Sequence, residues 1–284
     1  MWWTTVALAR DCTPTVFAPG VLSLPERSEF RAAFSPDGRT VWFHVDVPRD
    51  PDPPAQTIWT ARQVRGRWTP AVVAPFSGAW RDSDPFVGPD GAIRFSSNRP
   101  VSPGEPARPD TDLWVVEPLG DGWGAPVHLD GVNTDHDELY PSVTAEGTLY
   151  WATDADGGLG GWDLYRAAPI PGTSPARYQP PENLGPPLNT ERWEFNPWVS
   201  PDGRRLLFVG LRHPDGLGIG DLYTSVAVDG GWGAPRNLGP AVNSAGDDFH
   251  PTLGPRHQLV FVRKVWEPDT PSDLFVVDAR CAGL

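Results

Sequence analysis

Five short segments of this chain are copies of one another, and their spacing constrains the fold more than any other feature. FSPDG at 34–38, VGPDG at 87–91, VTAEG at 143–147 and VSPDG at 199–203 each separate two apolar runs, and LGPRH at 253–257 is a degraded fifth copy. Counted on Gly38, Gly91, Gly147, Gly203 and His257, the intervals are 53, 56, 56 and 54 residues. A period near 50 residues marks a supersecondary unit that buries its faces against its neighbours.

Each unit reads as four short strands. An apolar run leads into the turn, and a second strand follows: TVWFHV, AIRFSS, TLYWAT, RLLFVG or QLVFVR. After a Gly- or Pro-rich loop a third strand begins at Thr57-Ile58-Trp59, Asp112-Leu113-Trp114, Asp163-Leu164-Tyr165, Asp221-Leu222-Tyr223 or Asp273-Leu274-Phe275. Tips such as Gly122-Trp123 and Gly231-Trp232 lead to outer strands such as Asn183-Leu184-Gly185 and Asn237-Leu238-Gly239. With 30 Gly and 35 Pro long helices are disfavoured, whereas radial repetition of four-stranded sheets protects every edge. The expected fold is all-β: one five-bladed β-propeller over 1–284, with four antiparallel strands per blade. Its repeats fall at 28–78, 79–134, 135–190, 191–244, and 245–284 plus 13–24. The fifth unit stops after its third strand, and VFAPGVLS (16–23) resembles the outer-strand stretches NLGPPLNT and NLGPAVNS. The N-terminal strand is therefore expected to complete the last blade.

The same register aligns Cys281 with the end of a third strand and Cys12 with the start of an outer strand. One hairpin tip separates those positions in an intact blade, so a Cys12–Cys281 disulfide is expected, together with an oxidising compartment. The start of the chain carries Ala7-Leu8-Ala9, a small-x-small pattern, but neither a basic start nor a long apolar core. It reads either as a truncated export signal or as an ordinary terminus.

Nine residues before each turn anchor stand Glu29, Asp82, Glu138, Glu194 and Asp248, acidic in all five units. Such regularity points to scaffold, with each carboxylate accepting hydrogen bonds from its own or a neighbouring blade. No cofactor is expected, although an axial calcium site is the alternative use of such a ring. Two residues further on the repeat breaks down: Arg31, Asp84, Tyr140, Asn196 and His250 differ in charge and shape. They are the candidate ligand-facing set, supplemented by Arg99, Asp154, Asp156, Trp162, Arg212 and His213 in nearby loops. Asp154-Ala155-Asp156-Gly157 begins like a calcium loop but loses the ligand spacing, and reads as a turn.

SPDG followed by an apolar strand, GGLGGWDLY (157–165), and NLGPPLNT followed by Glu194 together resemble the TolB-like, WD-type β-propeller repeats of bacterial, mostly exported proteins. The resemblance spans nearly the whole chain. It implies a propeller in the periplasm or outside the cell and leaves function open, because such propellers serve as docking platforms, protease gates and solitary domains.

A net charge of −13 disfavours nucleic acid and anionic lipid as partners. No apolar run approaches the roughly 20 residues of a spanning helix. No nucleophile elbow, H-E-x-x-H or phosphate loop is present. The expected function is non-catalytic recognition of a protein, peptide or glycan on the top face. The alternative is glycoside chemistry of the kind other five-bladed propellers perform with converging carboxylates, here Asp84 with Glu138 or Glu194.

Overall fold

The computed structural model describes residues 11–46, 56–173, 177–265, 267 and 270–284. The small-x-small pattern at Ala7-Leu8-Ala9 lies outside the described residues. Five small antiparallel sheets form a five-bladed β-propeller. Blade 1 runs from an inner strand, Ser28–Phe34, through Thr40–Asp46 and Gln56–Val64 to Val72–Val73 at the rim. Blade 2 uses Asp82–Val87, Ile93–Ser97, Asp112–Val116 and Val127–His128, and blade 3 uses Glu138–Val143, Leu149–Thr153, Asp163–Ala167 and Glu182–Asn183. Blade 4 uses Trp193–Val199, Arg205–Leu211, Gly220–Val228 and Arg236–Asn237. The Gly-Trp segments form short hairpin tips beyond the third strands.

Blade 5 supplies three consecutive strands, Asp247–Gly254, Gln258–Lys264 and Asp273–Asp278. Its fourth is Thr15–Val16, with Thr15 opposite Val276 and Val16 opposite Phe275. Beside this seam a Cys12–Cys281 disulfide joins positions 269 apart in sequence, their Cα atoms 5.6 Å from each other. Strand and disulfide together close the ring as the repeat register anticipates.

Among the described residues the hydrophobic core is divided rather than single. Five apolar clusters fill the five boundaries between adjoining blades. One joins Val41, Phe43 and Val45 of blade 1 to Val260, Val262 and Leu274 of blade 5, sealing the closure. The second strands are covered on both faces, which is why they read as apolar runs rather than strict alternation. Val41, Phe43, Ile93, Phe95, Leu149 and Leu206 are all fully buried.

The inner strands start at the end of the molecule called here the top and turn at the opposite end. In the turns Gly38, Gly91, Gly147 and Gly203 have φ between 67° and 89°, which glycine tolerates at least cost. The degraded fifth turn adopts the same hand without glycine, with Arg256 at φ 60° and His257 at φ 59°. Among the described residues no helix is long and apolar enough to cross a membrane.

Candidate functional site

The five regular acids are enclosed, each 0% exposed. In three blades the connection entering the inner strand clamps the carboxylate. Thr134 donates its N–H (2.8 Å) and hydroxyl (2.7 Å) to Glu138, Thr190 does the same for Glu194 (2.8 and 2.6 Å), and Ser244 for Asp248 (2.6 and 2.8 Å). The preceding asparagine staples the same connection to the third strand, as when the Asn189 side chain bonds both N–H and C=O of Leu164. Asp82 accepts from Ser77, Ser97 and Arg99, and Glu29 pairs with Arg27 at 2.6 Å. His213 contacts Glu194 at 2.7 Å, and Arg263 pairs with Asp248 at 2.7 Å. Arg99 and His213, grouped by sequence with the ligand-facing loops, thus serve this ring. Burial pushes Glu29 and Glu138 up to about 7. Among the described residues no group of three or more His, Cys, Asp or Glu is arranged to hold a metal ion.

The irregular positions behave differently. Arg31, Asp84, Tyr140, Asn196 and His250 all have positive φ, between 40° and 63°. In every blade the ladder to the second strand shifts register across this residue. Such a bulge re-aims one side chain and releases its N–H from the ladder. Neighbouring blades take up three of those donors: Asp84 N–H reaches His44 Nδ1 (3.1 Å), Tyr140 N–H reaches Ser96 Oγ (3.3 Å), and His250 N–H reaches Asn196 Oδ1 (3.2 Å). A proline follows the bulged residue in four blades (Pro85, Pro141, Pro197 and Pro251), where no ladder donor is needed. Simple alternation would put the two rings on one side of the strand. The bulge breaks that period, and none of the five acids lines the top cavity.

Arg31 spans the axis. Its Nη2 donates to the carbonyls of Pro141 (2.8 Å) and Pro197 (3.1 Å) on blades 3 and 4. The guanidinium thereby ties blade 1 to blades 3 and 4, and the molecule holds two cavities that share no lining residue and that Arg31 itself does not line. The lower, about 440 Å³, is apolar and formed by residues next to the turns, including Phe34, Val87, Trp198 and Leu253. The upper, about 280 Å³, is polar and contains Asp84, Tyr140 and His250.

His44, Asp46, Gln56 and Arg81 complete the upper pocket, with Phe30, Phe195 and Phe249 among its walls. Burial raises Asp84 to about 7 against the opposing pull of Arg31, and burial raises Asp46 to about 6. Each carboxyl keeps one oxygen, Oδ1, without a hydrogen-bond partner. Asp84 Oδ1 lies 3.4 Å from His250 Nδ1 and 3.6 Å from His44 Nδ1. These approaches are not ion pairs, because burial holds His44 down at about 3 and His250 well below its ordinary value. Two carboxyls ready to exchange protons near neutral pH therefore share a pocket with two neutral imidazoles.

Of the catalytic candidates, Asp84 alone faces this pocket; Glu138 and Glu194 have both oxygens engaged within the scaffold. Trp162 stands beside Tyr140, ring centres 6.2 Å apart. Asp154 and Asp156 flank His136 at 3.8 and 3.9 Å, and Arg212 donates its N–H to the carbonyl of Ile219 within its own loop; none of Asp154, Asp156 and Arg212 lines the upper pocket. Sequence reading passed over His44 and Asp46. Aligning the second strands would have exposed His44, since the ladder partners place His44, Ser96, Ala152, Val209 and Val262 at one position.

No protein-family model matches the sequence, and none of the curated proteins does. Solved structures resemble the fold. An α-L-arabinofuranosidase from Lactobacillus brevis is 13% identical with a TM-score of 0.56, covering 88% of this chain and 90% of its own. An endo-arabinanase from Bacillus licheniformis is 10% identical with a TM-score of 0.53, covering 88% and 93%. A puromycin hydrolase is 16% identical with a TM-score of 0.47; this chain spans 33% of its length. At such identities the likeness shows fold alone: the chain has the five-bladed propeller architecture also found in glycoside hydrolases.

Proposed function

We propose that the upper pocket binds a carbohydrate and that Asp84 and Asp46 act on its glycosidic bond. The observation that carries this reading is the pair itself: two carboxyls in one pocket, each with a free oxygen and each raised by burial into the range where it can give or take a proton. Asp84, the more enclosed and the more strongly raised, is the general acid that protonates the departing sugar oxygen. Asp46 is the second carboxylate, acting as base or nucleophile. His44 and His250, neutral and beside Asp84 Oδ1, add no positive charge that would favour early loss of its proton. The glycoside hydrolases of like fold support this choice of substrate class.

The test is release of reducing ends from a polysaccharide panel that includes arabinan. Wild type is expected to work best between about pH 6 and pH 7, the span of the two carboxyls. Asp84→Asn and Asp46→Asn are each expected to lose about a thousand-fold, a general acid–base contribution. Release unchanged in both variants would overturn the assignment. Binding without release would favour the second reading, non-catalytic recognition of a protein, peptide or glycan, which the 2% exposure of Asp84 supports. The turn and loop sequences favour a TolB-like lineage, and the disulfide supports a periplasmic or secreted setting.

A further inference from the structure

The residue just before each regular acid forms the outermost ring at the top: Ser28, Arg81, Asp137, Trp193 and Asp247. Four are polar. Two of these are structural acceptors, Asp137 for the N–H of Thr111 (2.7 Å) and Asp247 for the N–H of Gly220 (3.0 Å). Trp193 occupies the matching place opposite Trp162, and an indole cannot accept that bond. It is also 45% exposed, the one aromatic side chain among the exposed large hydrophobic residues described.

A second irregularity accompanies the first. The loops GLGGWD (158–163) and GLGIGD (216–221) are copies, and both pack a glycine against the next blade, Gly160 on Arg192 and Gly218 on Gly246. They part at the following residue, Gly161 in one and Ile219 in the other. A Cβ at Gly161 would strike the Trp193 indole at Nε1, Cδ1 and Cε2. The absent side chain lets the ring lie against the loop, and that support fixes an otherwise exposed indole. Phe195, two residues on and so on the same side of the strand, lines the upper pocket. Trp162, next in sequence to Gly161, stands beside Tyr140 of that pocket.

We infer that Trp193, supported on Gly161, is a stacking platform for a second sugar unit of an oligosaccharide whose first unit occupies the upper pocket. The face of a sugar ring carries C–H groups that pack on a flat indole while its hydroxyls stay in water, and Trp offers a large rigid surface with one polar edge. This rests on the carbohydrate reading above and adds chain length to it: the substrate is a polymer or oligomer, gripped beyond the unit being cleaved.

The probes are arabinose and arabinohexaose, titrated calorimetrically against wild type, Trp193→Ala and Gly161→Ala, with a proline-rich decapeptide as the competing class. Gly161 has no left-handed φ, so alanine there disturbs the indole rather than the backbone. Wild type is expected to bind the hexaose more tightly than the single sugar. Both variants should weaken the hexaose about ten-fold, or about 1.4 kcal/mol, and leave arabinose unchanged. Hexaose affinity unaltered in both variants, with arabinose bound normally, would overturn the platform and spare the pocket. Failure of wild type to bind either sugar would overturn both. Peptide binding lost in Trp193→Ala, with no sugar bound, would assign the platform to protein recognition instead.

Discussion

Two rings of five side chains stand two residues apart on the same inner strands, one acidic in every blade and the other different in every blade. The acids are tied into the connections between blades, down to the threonine or serine four residues upstream of Glu138, Glu194 and Asp248. The irregular residues sit on bulges, and several leave polar atoms unpartnered: Arg31 Nε and Nη1, Asp84 Oδ1, Asn196 Nδ2 and His250 Nδ1. Buried polar groups are normally satisfied, and exceptions call for an explanation. Four of the five regular acids have both oxygens engaged, only Glu29 keeping Oε2 unpartnered, and these residues build the propeller. Asp84 and His250, with unmet hydrogen-bonding capacity, line the upper pocket and are placed to serve a ligand, whereas Arg31 and Asn196 line neither cavity.

That contrast is most exposed to failure at Asp82. Asp82→Ala strands the Arg99 guanidinium, whose Nη2 lies 2.6 Å from the carboxylate in a site with almost no solvent. Breaking a buried pair in this way costs about 3–5 kcal/mol, visible as a large drop in melting temperature; a drop near zero would remove the ring from the scaffold. Cys281→Ser should cost about 2–4 kcal/mol by reopening the seam, measured by denaturant unfolding with and without reductant.

The pH dependence of stability has a definite sign. Glu29, Glu138 and Asp84 are raised to about 7 and Asp46 to about 6, above their values in an unfolded chain. These carboxyls therefore bind protons more tightly in the folded protein, and the stability they contribute is present at acid pH and lost as pH rises from about 4 to about 7. The buried neutral His44 and His250, whose lowered values act in the opposite direction, offset part of it below about pH 6.5. Melting should occur several degrees lower at pH 8 than at pH 5.5, and an unchanged or higher melting point at pH 8 would count against the raised values. Asp84→Asn should raise the melting point at pH 8, where the native carboxyl bears a buried charge, and change it little at pH 5.5, where the native group is already protonated. The smallest effect belongs to the degraded turn. His257→Gly should stabilise slightly, by less than about 1 kcal/mol, since glycine adopts the observed φ of 59° without the strain an L-residue bears there, offset in part by its greater freedom in the unfolded chain.

Most of the fold was legible because the turns carry glycine at fixed intervals and the second strands carry apolar runs. The seam was legible because the last unit lacks a strand that residues 16–23 resemble. Asp84, Tyr140 and His250 were found as breaks in the repeat, and the prolines at 85, 141, 197 and 251 could have marked the bulges as well. Asp46 was not found. It enters the pocket from a second strand, through a cross-blade geometry with Asp84 that no spacing within one repeat encodes. Nor could spacing separate the two uses of a carboxylate, since Glu138 and Asp84 differ chiefly in whether their oxygens are already bonded.

Carboxyl titration by carbon NMR of aspartate-labelled protein reads the pocket directly, whatever its substrate. Two coupled steps between about pH 5 and pH 8 are expected, one of them missing in Asp84→Asn and the other in Asp46→Asn. If both groups instead finish ionising below about pH 5, as unperturbed aspartates do, the pocket holds no acid to give, and the proposed chemistry falls with it.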